Sequence, residues 1–156
     1  MNITILAVGK LKEKFWTQAC EEYLKRLKPY ARVTVRVIPD ANPQQVGGTE
    51  GVLAREGEAI CAAIPQDAHV VLLDIGGAQL SSPELASRIE TLGINGQSSI
   101  AFIIGGSDGV GEAVRKRADE AVSFGRITLP HNLARVVLLE QLYRAFKIIR
   151  REPYHK

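Results

Sequence analysis

Two short segments constrain this chain more than any other feature. Val70 to Ile75 and Ile100 to Ile104 are apolar runs broken only by Asp74, and each is closed by a glycine pair, Gly76-Gly77 and Gly105-Gly106. A strand with one wet face alternates apolar and polar residues. A strand without alternation is covered on both faces, as parallel strands in α/β sheets are.

The remaining elements fit around those two strands. Asn2 to Gly9 reads as a third apolar strand, while Arg32 to Ile38 alternates Val33, Val35 and Val37 with Thr34 and Arg36 before Pro39, the pattern of a strand near a sheet edge. Phe15, Ala19, Tyr23 and Leu27 recur at helical spacing between Lys12 and Leu27. Val52, Leu53, Ile60 and Ile64 mark a mostly polar helix from Gly51 to Ile64, whose outer face is expected to be wet. Ser82-Pro83-Glu84 predicts a helix start with Ser82 as N-cap, running to Gly93. Asn42 to Thr49 is the one loop-like stretch. Gly109 to Ala118 predicts a short helix, Ala121 to Phe124 and Arg126 to Leu129 short strands, and Asn132 onward a long helix ending before Pro153. The order predicts an α/β fold, a mostly parallel sheet flanked by helices, in a single domain over residues 1–156.

Composition narrows the class. With 156 residues, 46% hydrophobic and 24% charged, the chain is long enough to bury a core, and 14 Gly and 7 Pro are too few for a collagenous or disordered chain. No apolar run approaches the roughly 18 residues of a membrane span, and Met1 to Gly9 has no basic segment before its apolar stretch, so a cytoplasmic protein is expected. Cys20 and Cys61 lack metal-ligand spacing and read as core residues. His69, His131 and His155 are scattered, and HExxH, CxxC and GxSxG are absent; neither a metal nor covalent hydrolase chemistry is expected.

Open α/β sheets bind ligands beyond the carboxyl ends of their strands, which selects three loops: Asp74 to Gln79, Gly105 to Gly111 and Phe124 to Asn132. The glycine-rich loop is not a phosphate loop. Gly106 and Gly111 have Walker spacing, but Glu112 occupies the place of the lysine, and Val114 stands where a dinucleotide fingerprint needs its third glycine. Asp108 and Glu112 would repel phosphates. A ligand that tolerates carboxylates fits better, and S-adenosylmethionine, a cationic sulfonium carrying an adenine, is such a ligand. The other reading of both glycine pairs is a tight turn, and Asp74 either binds a ligand or caps its turn.

The last segment carries the charge. Residues 126–156 hold seven basic residues and two acids, a net +5, against −2 for the rest of a chain whose total is +3. Arg144, Lys147 and Arg151 share one helix face, the geometry of a phosphate-tracking ridge; the alternative is a solvated face on which Arg144 pairs with Glu140. The same helix carries two apolar stripes, Val136, Leu139, Tyr143, Phe146, Ile149 and Leu138, Leu142, Ala145, Ile148. One stripe covers the sheet and the other needs a cover, which predicts a homodimer through this helix.

Several motifs in order carry a family resemblance. Leu6-Ala7-Val8-Gly9-Lys10, Glu22-Tyr23-Leu24-Lys25-Arg26, Leu72-Leu73-Asp74-Ile75-Gly76-Gly77, Ile103-Ile104-Gly105-Gly106-Ser107-Asp108-Gly109, Ile127-Thr128-Leu129-Pro130-His131, the stretch Arg135 to Ala145 and the terminal Pro153-Tyr154-His155-Lys156 together resemble the ribosomal RNA large subunit methyltransferase H family of the SPOUT class. The resemblance spans the whole chain. It implies a C-terminal trefoil knot, a homodimer with its site at the subunit interface, and methylation of N3 of a pseudouridine in 23S rRNA of the assembled ribosome. Carried over by position, the S-adenosylmethionine contacts are Leu73, Gly105, Phe124, Gly125, Arg126, Ile127, Thr128 and Leu129. His155 with Tyr154, and His131, are candidate bases for the N3 proton, with Arg135 or a tail cation positioning the imide. His131 has a second reading as a turn residue after Pro130. Arg144, Lys147, Arg151 and Lys156 are the candidate RNA contacts. Two rival readings remain: a non-catalytic ribosome- or RNA-binding protein of the same fold, and a nucleotide-binding enzyme using Gly105 to Gly111.

Overall fold

The computed structural model describes residues 1–154. Its elements run β1 (Asn2–Val8), α1 (Lys14–Leu27), β2 (Arg32–Ile38), α2 (Pro43–Val46), α3 (Thr49–Ala63), β3 (His69–Gln79), α4 (Ser82–Ile94), β4 (Ser99–Ile104), α5 (Glu112–Arg117), β5 (Glu120–Ser123) and α6 (His131–Ile149). The strands form one sheet in the order β2-β1-β4-β3-β5, parallel at every pairing.

Alternation along the strands sorts the side chains into two cores. Ile3, Ile5 and Ala7 of β1, Val71 of β3 and Ile100, Phe102 and Ile104 of β4 pack against α1, α4 and α6 through Leu27, Ile89, Leu139 and Leu142. Their neighbours Leu6, Val8, Val70, Leu72, Ala101 and Ile103 pack on the opposite face against Ile60 of α3 and Val114 of α5. This two-sided burial is why the β3 and β4 sequences lack alternation. β2, which has it, lies at the edge. Cys20 is buried in the first core, and Cys61 is half-buried.

Four local expectations are corrected. The pair Gly76-Gly77 does not end its strand: β3 continues to Gln79, its pairing with β5 interrupted between Leu73 and Ala78. A Cβ on Gly77 would stand 2.6 Å from the Val122 nitrogen, so this glycine lets β3 close back onto β5. The N-cap of α4 is Ser81, not Ser82; its hydroxyl accepts from the Glu84 N–H while the Glu84 carboxylate accepts from the Ser81 N–H at 2.7 Å. Within the loop-like stretch, Asn42 caps the single turn of α2, and Gly47, at φ +84°, closes it. Residues 126–129 form no strand, because the chain turns away from the sheet at Gly125, φ +115°.

Helix α6 lies between α1 and α4, with Leu138, Leu139, Leu142, Ala145 and Phe146 buried. Part of each apolar stripe is therefore covered by the chain itself. Ile148 stays exposed.

Candidate functional site

The three loops selected from the sequence converge at the carboxyl edge of the sheet around one cleft of about 530 Å³. The middle of β3, where its pairing with β5 is interrupted, supplies Leu73, Asp74 and Ile75, the end of β4 supplies Ile104, Gly105 and Gly106, and the segment joining β5 to α6 supplies Phe124, Gly125, Ile127, Thr128 and Leu129. Every cofactor contact expected from the resemblance lines this cleft except Arg126, which points to solvent. His131, the first residue of α6, lines it as well.

The cleft is built for a ligand with apolar faces and polar edges. Ile75 and Ile127 are 59% and 70% exposed, a cost in water that a ligand would remove. Among the described residues, the N–H and C=O groups of residues 126–129 make no backbone hydrogen bond, so they are available to a ligand's edge. Gly105 is fixed by its own loop: a Cβ there would meet the Gly109 carbonyl oxygen at 2.9 Å, inside the tight turn in which the Gly109 N–H donates to the Gly106 carbonyl.

One buried acid escaped the sequence reading. Glu56, four residues after Val52 and four before Ile60 on the apolar row of α3, is 6% exposed; its Oε1 accepts from the Ala41 N–H at 3.0 Å. Its Oε2 lies 3.0 Å from where a Cβ on Gly106 would stand, so it fills the space behind the glycine loop. Its i±4 spacing from Val52 and Ile60 is the signal that sets it apart from Glu50 and Glu58 of the same helix.

Arg135 is buried rather than offered to a substrate. It is 2% exposed and donates to the Gly9 carbonyl at 2.8 Å, while its Nε has no partner among the described residues. Burial pushes its guanidinium below the usual arginine range. His131, one turn earlier on α6, lies over the same glycine, its Nε2 3.2 Å from the position of a Gly9 Cβ. Gly9 therefore joins His131 at the cleft to Arg135 in the core.

The basic face of α6 is folded in on itself. Arg144 pairs with Glu140 at 2.6 Å and lies 4.6 Å from the Tyr154 ring, Lys147 pairs with Glu152 at 2.7 Å, and Arg151 stands past the end of the helix at φ +55°. The expected ridge of three free cations is thus two ion pairs and one exposed arginine. Tyr154 packs edge-on against Tyr143 and donates to Glu140 at 3.2 Å; burial, and then the Glu140 charge, push its phenol up to about 12. His155 and Lys156 lie outside the described residues. Among the described residues no His, Cys, Asp and Glu cluster is placed to hold a metal, and no helix is long and apolar enough to cross a membrane.

Comparison with known proteins agrees with this architecture. The family model described as "Predicted SPOUT methyltransferase" matches residues 1–155. Proteins named ribosomal RNA large subunit methyltransferase H from Listeria welshimeri and Carboxydothermus hydrogenoformans are each 52% identical to this chain, and one from Shouchella clausii is 50% identical; each alignment covers the whole of both chains. With a match over nearly every residue and full-length relatives at this identity, the chain belongs to the SPOUT methyltransferases, in the ribosomal RNA large subunit methyltransferase H family.

Proposed function

We propose that residues 1–156 act as one domain that methylates N3 of a pseudouridine in 23S rRNA of the assembled ribosome, using S-adenosylmethionine, in the cytoplasm and as a homodimer with a C-terminal trefoil knot. The observation that carries this reading is the convergence of three separate loops on one cleft. The cleft's chemistry fits the methyl donor. Leu73, Ile75, Ile104, Ile127 and Leu129 offer apolar walls to an adenine, and the unspent backbone groups of residues 126–129 offer it hydrogen bonds. Arg115 is its one arginine or lysine, which is too little positive charge for a polyphosphate.

When bound, S-adenosylmethionine supplies an electrophilic methyl group on a cationic sulfonium. The chain must then hold the imide beside the cleft and take one proton from N3, work that needs approach and orientation more than a metal. Tyr154, held protonated by its surroundings, is suited to donate a hydrogen bond rather than to accept the proton. His131 stands at the cleft wall, and His155 follows Tyr154 directly; these two imidazoles are the candidate bases. Arg135 acts in this reading as a positioning residue, holding Gly9 under His131.

The RNA contacts in this reading are Arg151, which is exposed; Arg144 and Lys147, which exchange protein carboxylates for phosphates; and Lys156 of the terminal sequence. The homodimer is supported by the exposed Ile148 and the half-buried Val136, Val137 and Tyr143 on α6.

Calorimetric titration with S-adenosylmethionine tests the cleft. Ile127 is mostly exposed, so Ile127→Asn should leave folding intact and weaken binding roughly 10- to 100-fold, the loss expected when one large apolar wall is removed. Unchanged affinity in that variant would move the ligand elsewhere.

A further inference from the structure

Two opposite charges meet in the cleft. Asp74 lies within β3 where the pairing with β5 is interrupted, Arg115 stands on α5, and their side chains form an ion pair. Among the residues lining the cleft, these two are the one carboxylate and the one guanidinium, and His131 brings the one imidazole. Asp74 makes no second hydrogen bond or ion pair among the described residues, and neither does the Arg115 side chain. The fold has little need of the pair. With the Arg115 side chain 45% exposed, the interaction is screened by water, and α5 is anchored independently by the fully buried Val114.

We propose that Asp74 and Arg115 are the recognition site for a zwitterionic α-amino acid group, the ligand's carboxylate on Arg115 and its ammonium on Asp74. This rests on the reading of the cleft as the S-adenosylmethionine site and assigns one end of that ligand. An α-amino acid carries its two opposite charges on a single carbon, and the cleft presents two opposite charges already in contact. Inserting the ligand exchanges each partner for an equivalent one, so no charge is left unpaired in a partly desolvated site. The arginine fork matches a carboxylate with two parallel hydrogen bonds.

The same two charges discriminate against other adenosine ligands. A nucleoside polyphosphate brings only negative charge, which Arg115 attracts and Asp74 repels. A neutral nucleoside leaves the ion pair closed and gains nothing from it. S-adenosylhomocysteine has the same amino acid end as the donor, so the pair binds donor and product alike and contributes affinity rather than rate.

The test is calorimetry with three probes: S-adenosylmethionine, S-adenosylhomocysteine, and 5′-methylthioadenosine, which lacks the amino acid group. Asp74→Asn and Arg115→Gln should each weaken the first two by roughly 10- to 100-fold, the usual cost of a charge-assisted hydrogen bond, and leave methylthioadenosine within about twofold. Arg115→Lys should recover part of the loss, and unfolding midpoints should match the wild type, which separates recognition from folding. Equal weakening of all three probes, or of none, would overturn the assignment. Wild-type protein that binds methylthioadenosine as tightly as S-adenosylmethionine would refute it while leaving the cleft reading intact. Wild-type protein that binds none of the three would remove both.

Discussion

Tyr30 and Glu152, 122 residues apart in sequence, are joined by a 2.5 Å hydrogen bond from the phenol to the carboxylate. Lys147 donates to the same carboxylate oxygen at 2.7 Å, and Arg150 lies 5.2 Å from the Tyr30 ring. Helix α6 ends at Ile149, Arg151 reverses the chain at φ +55°, and this cluster pins the reversal, so that Tyr154 comes back to Glu140. The residue that follows is His155, one of the two candidate bases. Tyr30→Phe and Glu152→Ala should therefore slow single-turnover methyl transfer by about tenfold or more while S-adenosylmethionine affinity stays unchanged. Wild-type rates in both variants would show that the reversal does not matter to the reaction.

The same cluster sets a pH window. Hydrogen bonds from Lys147 and then Tyr30 hold the Glu152 carboxyl below its ordinary 4.5, and Glu152 raises Lys147 above its ordinary 10.5. The stabilisation from Glu152 is complete above 4.5 and is lost as pH falls through its depressed folded value. That from Lys147 is complete below 10.5 and is lost as pH rises through its raised one. The tail should stay attached across the neutral range and loosen in acid, below 4.5, and again in strong base, above 10.5. Ring resonances of Tyr30 and Tyr154 followed by NMR should be constant from about pH 5 to 9 and shift in acid, and Glu152→Gln should abolish that acid transition.

A buried, half-satisfied guanidinium makes a separate prediction. Replacing Arg135 with methionine removes a desolvated charge whose Nε has no partner among the described residues, and keeps most of the side-chain volume. Arg135→Met should be within about 1 kcal/mol of wild type in stability, or more stable, whereas Arg135→Ala, which leaves a cavity, should lose about 3 kcal/mol. Denaturant unfolding of the two variants checks this. A methionine variant as unstable as the alanine one would mean that the Gly9 hydrogen bond, not volume, holds this site together.

The sheet and the cleft's location were legible because both depend on period. The absence of alternation in β3 and β4 signals two-sided burial, and Gly105-Gly106 marks the strand end near which the cleft lies, whereas Gly76-Gly77 stands inside β3. Partners distant in sequence were not legible. Nothing in the α5 sequence says that Arg115 meets Asp74, or in α3 that Glu56 meets the Ala41 N–H, since periodicity locates a face but not the partner of a charge. The segment 126–129 shows the opposite error: its residues suit a strand, but the chain turns away from the sheet at Gly125, and Ile127, Thr128 and Leu129 line the cleft instead. The basic face of α6 was visible as a pattern, whereas its pairing with the returning tail depends on the Arg151 reversal. The trefoil knot came from the family resemblance alone.

Methyl transfer to RNA is tested most directly by incubating the protein with tritiated S-adenosylmethionine and ribosomes whose 23S rRNA lacks the modification, then digesting the RNA to nucleosides. The expected product is label in a single species, N3-methylpseudouridine, approaching one per ribosome and lost in the Ile127→Asn variant at limiting donor. Ribosomes that bind the protein while their RNA gains no label would contradict the claim and identify a non-catalytic RNA-binding protein of this fold.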